Sequence, residues 1–431
     1  CGNPGLDGLI HLPPEPTTSG GYGTVSMHIA ARDIILLFAT RTIRLFAYGF
    51  ISVVLALYLA ATGLGATGVG AVLTATLAGD ILVSLWVTMV ADRFGRRNML
   101  LLGAALMILS GLVFLCTTNP VWITLAAIIG IVSPSGGEIG PFLSIEQAAL
   151  SQLVPDNRRT RLFGWYNLAG SFATAAGALA GGWLAQWLQA IGWSGLEAYR
   201  FVMAGYAACG LALLLFFLFV SRQVEVVLVA EAPAGASKRT LGLHRSYKVV
   251  FRLSSLFALD AFAGGFVVQS MIAWWLHVRY GVDEGMLGTL FFGANLLAGV
   301  SALLATRLAD RIGLVRTMVY THIPSNILLC LVPLMPNFWL AITVLLLRSS
   351  ISQMDVPARQ SYTMAVVAPD ERSAASGITT VARSVGAAVS PLLAGLLMAN
   401  PLLFSLPFFV AGGLKIAYDV TLYKMFKDSD E

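Results

Sequence analysis

The chain has 431 residues, 57% apolar and 11% charged, with a net charge of +5 and a mean hydropathy of +0.79. A soluble domain carries about a quarter charged residues, so this composition excludes a soluble globular fold of this size. The basic balance has a cause other than nucleic acid, because Lys and Arg cluster in alternate loops between apolar runs.

Residues 1–26 are rich in Pro, Gly, Ser and Thr and contain no apolar run or secretory signal, so 1–32 is read as a disordered N-terminal segment, with Met27 a plausible natural start. Apolar runs of about twenty residues then recur to the end, as bilayer spans require. They read as helices, because backbone polar groups in lipid must be satisfied within the segment. The period-two alternation of a barrel is absent. The expected spans are 33–60, 68–91, 98–117, 121–153, 161–188 and 199–221, then 250–278, 284–309, 316–335, 338–366, 373–399 and 402–424. The fold class is therefore an all-α membrane protein: twelve transmembrane helices in two pseudo-symmetric six-helix bundles, 33–221 and 250–424. A polar linker, 222–249, joins the bundles and a short tail, 425–431, follows them. Arg93, Arg96 and Arg97 follow span two, Arg158, Arg159 and Arg161 adjoin the end of span four, Arg311 and Arg316 follow span eight, and Arg372 follows span ten. The opposite loops are nearly free of Lys and Arg, with Arg200 and Arg279 the exceptions. This asymmetry puts both termini and the linker in the cytoplasm, in an inner or plasma membrane.

The halves repeat one another. Ala91-Asp92-Arg93 falls on Ala309-Asp310-Arg311 at an offset of 218, Gly95 falls on Gly313, and Gly70 on Gly288. Arg44-Leu-Phe-Ala-Tyr-Gly-Phe50 falls on Asp260-Ala-Phe-Ala-Gly-Gly-Phe266 at 216, and 153–159 on 367–373 at 214. Internal repeats of this kind mark transporters, with the solute site at the repeat interface near the midplane.

On these residues the chain resembles the major facilitator superfamily over about 33–424. That family's loop between spans two and three reads roughly G-x-L-A-D-R-x-G-R-R/K. Here it is Thr88-Met-Val-Ala-Asp92-Arg93-Phe-Gly95-Arg96-Arg97, with Thr88 in place of the leading Gly. Gly95 suits a tight turn, and Asp92, at a helix C-terminus, needs a partner against the dipole. The resemblance implies a cytoplasmic latch between the halves, made of Asp92, Arg93, Gly95, Arg96 and Arg97 and of Asp310, Arg311 and Gly313. The bland alternative is that these charges only anchor topology. Span five is weakly similar to a drug/proton antiporter pattern ending G-P-x-x-G-G, through Gly177, Gly181 and Gly182. Ala178 stands where that pattern has Pro, and small residues so spaced also serve ordinary helix packing. The family's span-four Arg has no counterpart in span four and appears only in span ten, as Arg348 before Gln353.

An ionisable residue in mid-span costs roughly 2.5–3.5 kcal/mol on insertion scales, which makes each one a candidate. Arg44 and Asp260 lie about 15 Å into spans one and seven, at matching positions with opposite charge. They are expected to face each other across a central cavity, either as a solute or proton site or as a structural pair. Asp80 lies about 18 Å from Asp92 in span two. Glu138 and Glu146 share one face of span four, which Pro134, Gly136, Gly137 and Pro141 should loosen or kink. Arg348, Asp355 and Arg359 fall on one helical stripe of span ten, where Asp355 and Arg359 can pair.

No phosphate loop, metal-ligand cluster or nucleophile–base arrangement is present, so no cofactor, no metal and no enzymatic activity are expected. The reading is a monomeric secondary active transporter of a small-molecule solute in the lipid bilayer, with no nucleic-acid partner. It is read as coupled to protons and leaning to efflux as an antiporter. An importer or facilitator of an organic anion or other nutrient, with Arg44, Arg348 and Arg359 as anion contacts, is the alternative, and a non-transporting receptor on the same fold the third reading.

Overall fold

The computed structural model describes residues 22–138, 140, 142–154, 156–221, 224–225, 243, 245–368 and 371–426, without the side chains of 22–30, Thr88, Asp92, 156–161 and Ser373. The N-terminal residues 1–21, most of the linker and the tail after Phe426 lie outside the described residues, as do the Asp92, Arg158, Arg159 and Arg161 side chains.

Twelve crossings are built from sixteen α-helices. Eight crossings are single helices: α3 (Ala66–Phe94), α4 (Arg96–Cys116), α7 (Asp156–Ala190), α8 (Gly195–Phe219), α11 (Glu284–Ile312), α12 (Leu314–Leu331), α15 (Arg372–Met398) and α16 (Leu406–Phe426). The other four are interrupted. Span one is α1 (Tyr22–Ser52) and α2 (Leu55–Ala61), and span four is α5 (Pro120–Ile129) and α6 (Phe142–Leu153). Span seven is α9 (Tyr247–Gly265) and α10 (Gln269–Tyr280), and span ten is α13 (Phe338–Ser349) and α14 (Asp355–Ala365). The interrupted crossings are therefore the first and fourth of each half. α1 begins at Tyr22, earlier than the expected 33.

The breaks differ in how far the sequence announces them. In span four α5 ends at Ile129 and α6 starts at Phe142, and between them Gly136 and Gly140 adopt φ +71° and +82° and Ile131 +53°. The expected loosening is thus a complete interruption, which frees backbone groups inside the membrane and needs protein around it. Span ten was expected to be continuous; it stops at Ser349 and restarts at Asp355, so Arg348 does not share a helix with Asp355 and Arg359.

The repeat shows in the turns. Gly95 and Gly313 adopt φ +95° and +89°, each ending one helix and starting the next. Their amides donate to the Ala91 and Ala309 carbonyls at 2.9 and 3.0 Å. Only glycine takes such φ values without strain. We call the side carrying these turns the basic face and the other the far face.

The halves meet toward the far face at two symmetry-related crossings. A Cβ on Gly182 of α7 would lie 2.3 Å from the Glu284 carbonyl oxygen and 2.8 Å from Gly288 Cα of α11. A Cβ on Gly395 of α15 would lie 2.5 Å from the Ala66 carbonyl oxygen and 3.0 Å from Gly70 Cα of α3. Hydrogen bonds add to these contacts. Gln269 Nε2 donates to Ser52 Oγ at 2.7 Å, and the Ser270 amide to the Pro134 carbonyl at 3.1 Å, so the breaks of spans one, four and seven converge. Trp183 Nε1 donates to Thr289 Oγ1 at 3.0 Å, and the Tyr199 hydroxyl to the buried Glu284 carboxylate. Large apolar side chains such as Leu82, Trp86, Trp122, Phe219 and Trp339 stay exposed, as a lipid-facing belt requires.

Candidate functional site

Charge inside the helices gathers in two networks, one per half. In the N-terminal half α1, about two turns before its end, brings Arg41 and Arg44 to the interrupted span four. Arg44, fully buried, reaches Glu138 at 2.9 Å and clasps both oxygens of the fully buried Glu146 at 2.8 and 2.6 Å. Arg41 meets Glu138 at 2.8 Å and Asn167 Oδ1 at 3.1 Å. Thr40 Oγ1 donates to Glu146 at 3.0 Å, and the Tyr166 hydroxyl of α7 also donates to it. The Arg41 guanidinium lies over the Tyr166 ring at 4.2 Å and that of Arg44 over Phe142 at 4.7 Å. Two cations and two carboxylates thus neutralise one another in a buried place, although Arg41 Nε finds no hydrogen-bond partner among the described residues. A buried arrangement of this kind depends on good geometry between the charges.

The C-terminal network centres on Asp260 of α9. Lys415 Nζ of α16 lies 2.5 Å from it, Arg359 of α14 and Arg383 of α15 each lie 3.3 Å from it, and His322 Nε2 of α12 lies 3.8 Å from it. Arg359 also pairs with Asp355 at 2.8 Å along α14. His322 Nδ1 sits 2.8 Å from Asp419 of α16, whose other oxygen accepts from Asn326 Nδ2 at 3.1 Å. Asp260 and Asp419 are buried, whereas 34% of the Arg383 side chain is accessible.

The expected opposition of Arg44 and Asp260 is therefore corrected: each is neutralised within its own half. The reason is local. The unwound segment of span four lets Glu138 swing to α1, and α14 and α16 bring cations to α9. The networks retain the repeat with the sign reversed, an Arg on span one against Glu on span four, and an Asp on span seven against an Arg on span ten.

The remaining candidates separate. Asp80 accepts from Ser84 Oγ at 3.3 Å and is hydrogen-bonded by the Gly140 backbone, so it closes one side of the span-four break. Gly79 next to it lies against the Ile128 carbonyl, where a Cβ would come within 2.1 Å. Arg348 is half-buried at the end of α13, with a buried Nε for which the described residues supply no hydrogen-bond partner. Gly177 and Gly181 bring α7 against α1, a Cβ on either meeting a carbonyl oxygen at 2.0 Å, and Gly182 faces the other half.

At the basic face the expected latch residues do different things. The Asp92 side chain lies outside the described residues. Arg93, Asp310 and Arg311 are exposed. The Arg96 and Arg97 amides donate to Glu225 at 2.7 and 3.2 Å, which satisfies the N-terminus of α4. The Arg97 guanidinium donates to the Phe217 and Leu218 carbonyls at 3.2 and 2.6 Å and caps the C-terminus of α8. These bonds tie Arg96 and Arg97 to the end of α8 and to Glu225 of the linker. A similar carboxylate cap occurs in the other half, where Glu371 accepts from the Arg245 and Ser246 amides at 2.7 and 2.9 Å at the start of α9.

Sequence reasoning missed Arg41, His322, Lys415 and Asp419. Arg41 stands three residues before Arg44, and Lys415 four before Asp419; both spacings put the pair on one helix face. His322 carries no pattern of its own.

Comparison with known proteins agrees with this architecture. The family model described as Major Facilitator Superfamily matches residues 37–278 and again 256–430, once for each half. An uncharacterized membrane protein of Saccharomyces cerevisiae, YJR124C, is 30% identical over 433 aligned residues, covering 94% of this chain and 96% of that protein. A transcription regulatory protein of Pseudomonas aeruginosa, OpdE, is 27% identical over 341 residues, covering 77% and 78%. Among solved structures a D-xylose-proton symporter superposes with a TM-score of 0.70 at 15% identity, covering 91% of this chain and 97% of that one. At that identity the likeness concerns the fold alone.

Proposed function

From the premise that the chain belongs to the Major Facilitator Superfamily, we propose that it is a proton-coupled secondary transporter of a small solute, working by alternating access as a monomer. The observation that carries the reading is the pair of glycine crossings, Gly182 on Gly288 and Gly395 on Gly70. Backbones in direct contact at two symmetric points form a pivot on which two otherwise self-sufficient halves can rock. Each half keeps its own charges neutralised, so rocking need not break a buried ion pair between halves.

Orientation follows from the basic residues. With the Gly95 and Gly313 turns in the cytoplasm, the far face is external and the described conformation is closed to the outside. Coupling belongs to the buried carboxylates, Asp260 first, because one acid facing four basic groups can trade partners as a solute or proton arrives. The span-five glycines serve packing in this fold, so they speak for neither export nor import. The sensor reading is favoured by the regulatory name of the Pseudomonas relative.

Reconstitution separates these readings. Solute flux in proteoliposomes driven by an imposed pH gradient, and lost in Asp260→Asn, is the expected result. Flux that persists unchanged when the gradient is collapsed removes proton coupling. Binding without flux supports a sensor.

A further inference from the structure

We infer that the C-terminal charge cluster is a proton-linked anion site, in which an anionic solute is held by Arg383 while His322 takes up the proton that balances it. The inference rests on the transport reading above and names its solute class.

Two observations carry it. The first is the charge count. Asp260, Asp355 and Asp419 face the fixed cations Arg359, Arg383 and Lys415, so the cluster is neutral when His322 is neutral and carries one positive charge when His322 is protonated. Histidine is the side chain whose ordinary titration falls between about pH 5 and pH 8. His322 is wedged between two carboxylates, Asp419 at 2.8 Å and Asp260 at 3.8 Å, with the Tyr418 ring beside it and Asn326 on its own helix sharing Asp419. Lys415 and Arg359 pair with Asp260 on one side of it.

The second is the accessibility of Arg383. A guanidinium offers five N–H donors in a fork that suits a carboxylate or sulfonate. The ion pair described for Arg383 is a single 3.3 Å contact to an Asp260 that Lys415 holds more closely. One third of its side chain is open although it lies about 16 Å along α15. An intramembrane cation open to lipid is costly, so the opening is read as facing the aqueous space between the halves. The N-terminal network, by contrast, pairs two arginines with two glutamates and contains no histidine.

An anion entering the neutral cluster would bring an unbalanced charge into a place of low dielectric. A proton on His322 removes the imbalance, so anion and proton strengthen each other's binding by the same factor. No covalent step is involved: one proton and one monovalent anion bind together and leave together.

The test is calorimetric titration of the purified full-length protein with sodium lactate, benzoate and methanesulfonate, and with tetraethylammonium chloride, at about pH 5.5 and about pH 8. These anions stay ionised at both values. The expected result is that at least one anion binds about tenfold more tightly at the lower pH, with uptake of about one proton read from buffers of different ionisation enthalpy. His322→Gln should flatten that pH dependence, and Arg383→Gln should abolish binding that Arg383→Lys partly restores. If His322→Gln does not fold, the proton count on the wild type decides alone. Failure of all three anions to bind, binding of tetraethylammonium instead, or unchanged pH dependence in a folded His322→Gln overturns the inference. Proton-driven flux of a cation would sink it and leave the transport reading standing, whereas anion binding without flux would do the reverse.

Discussion

The two buried networks occupy equivalent places and do not resemble each other in construction. The N-terminal one is compact: Arg41 and Arg44 from one helix, Glu138 and Glu146 from one interrupted span, with Tyr166 and Thr40 completing the hydrogen bonds. The C-terminal one draws on five helices, loads a single Asp260 with four basic partners, and includes a histidine and a partly open Arg383. The first has matched charges at short distances and little reason to rearrange. The second has competing donors for one acceptor, which is the condition under which partners exchange. Equivalent positions in a repeat thus need not share a role; the function proposed above assigns holding to the first half and switching to the second.

The largest effect should come from breaking the compact network. Glu146→Ala leaves Arg44 buried without its main partner, and removing one member of a buried pair costs about 3–5 kcal/mol. Thermal denaturation in detergent should show a large loss of stability or no folded protein. The double variant Arg44→Met with Glu146→Met should recover much of it. An unperturbed Glu146→Ala would mean that this network does not hold the half together.

Next in size are the crossings. Gly182→Leu and Gly395→Leu each place side-chain atoms against the backbone of the other half, and overpacking costs about 1–3 kcal/mol. Here that cost falls on the conformation closed at the far face. The equilibrium should therefore move toward far-face opening by roughly five- to 150-fold, read as faster maleimide labelling of a cysteine placed at Ser52. Equal effects from both variants would sharpen the symmetry; an effect from one alone would break it.

The smallest effect is expected at the basic face. Arg97→Gln removes a cap from α8, a contact worth about 0.3–1 kcal/mol, and should lower the melting temperature slightly with flux retained. A complete loss of flux in a well-folded Arg97→Gln would instead favour the latch.

Much of the fold was legible because bilayer spans obey a length and a composition that no other element imitates. The Gly95 and Gly313 turns were legible too, since a repeated Asp-Arg-x-Gly between apolar runs leaves glycine at the one position that needs positive φ. Span four advertised its break through Pro134, Gly136, Gly137 and Pro141. Span ten advertised its break less openly: Ser350-Ile351-Ser352-Gln353-Met354 contains neither Gly nor Pro, but Pro357 in the first turn of α14 has no N–H for the Gln353 carbonyl and so favours a helix start there over continuation. The site was half legible. Mid-span charge marked Arg44, Glu138, Glu146, Asp260, Asp355 and Arg359, but pairing is a tertiary property. The repeat suggested that Arg44 should look at Asp260, and the freed backbone of span four gave Arg44 a nearer acid. His322 could not be found from sequence, because a lone histidine in an apolar helix gains meaning only from Asp419 and Asp260, which reach it from two other helices.

The division between a holding half and a switching half can be tested without knowing the solute. Spin labels at Arg93→Cys and Arg311→Cys, on equivalent turns of the two halves, report the opening of the basic face by electron–electron distance measurement, in a background with Cys1, Cys116, Cys209 and Cys330 changed to Ala. The distance distribution should shift between about pH 5.5 and about pH 8 in the otherwise unchanged protein, and the shift should vanish in Asp260→Asn. A distribution indifferent to pH, or a pH-dependent shift that survives Asp260→Asn, would contradict the assignment of switching to the C-terminal network.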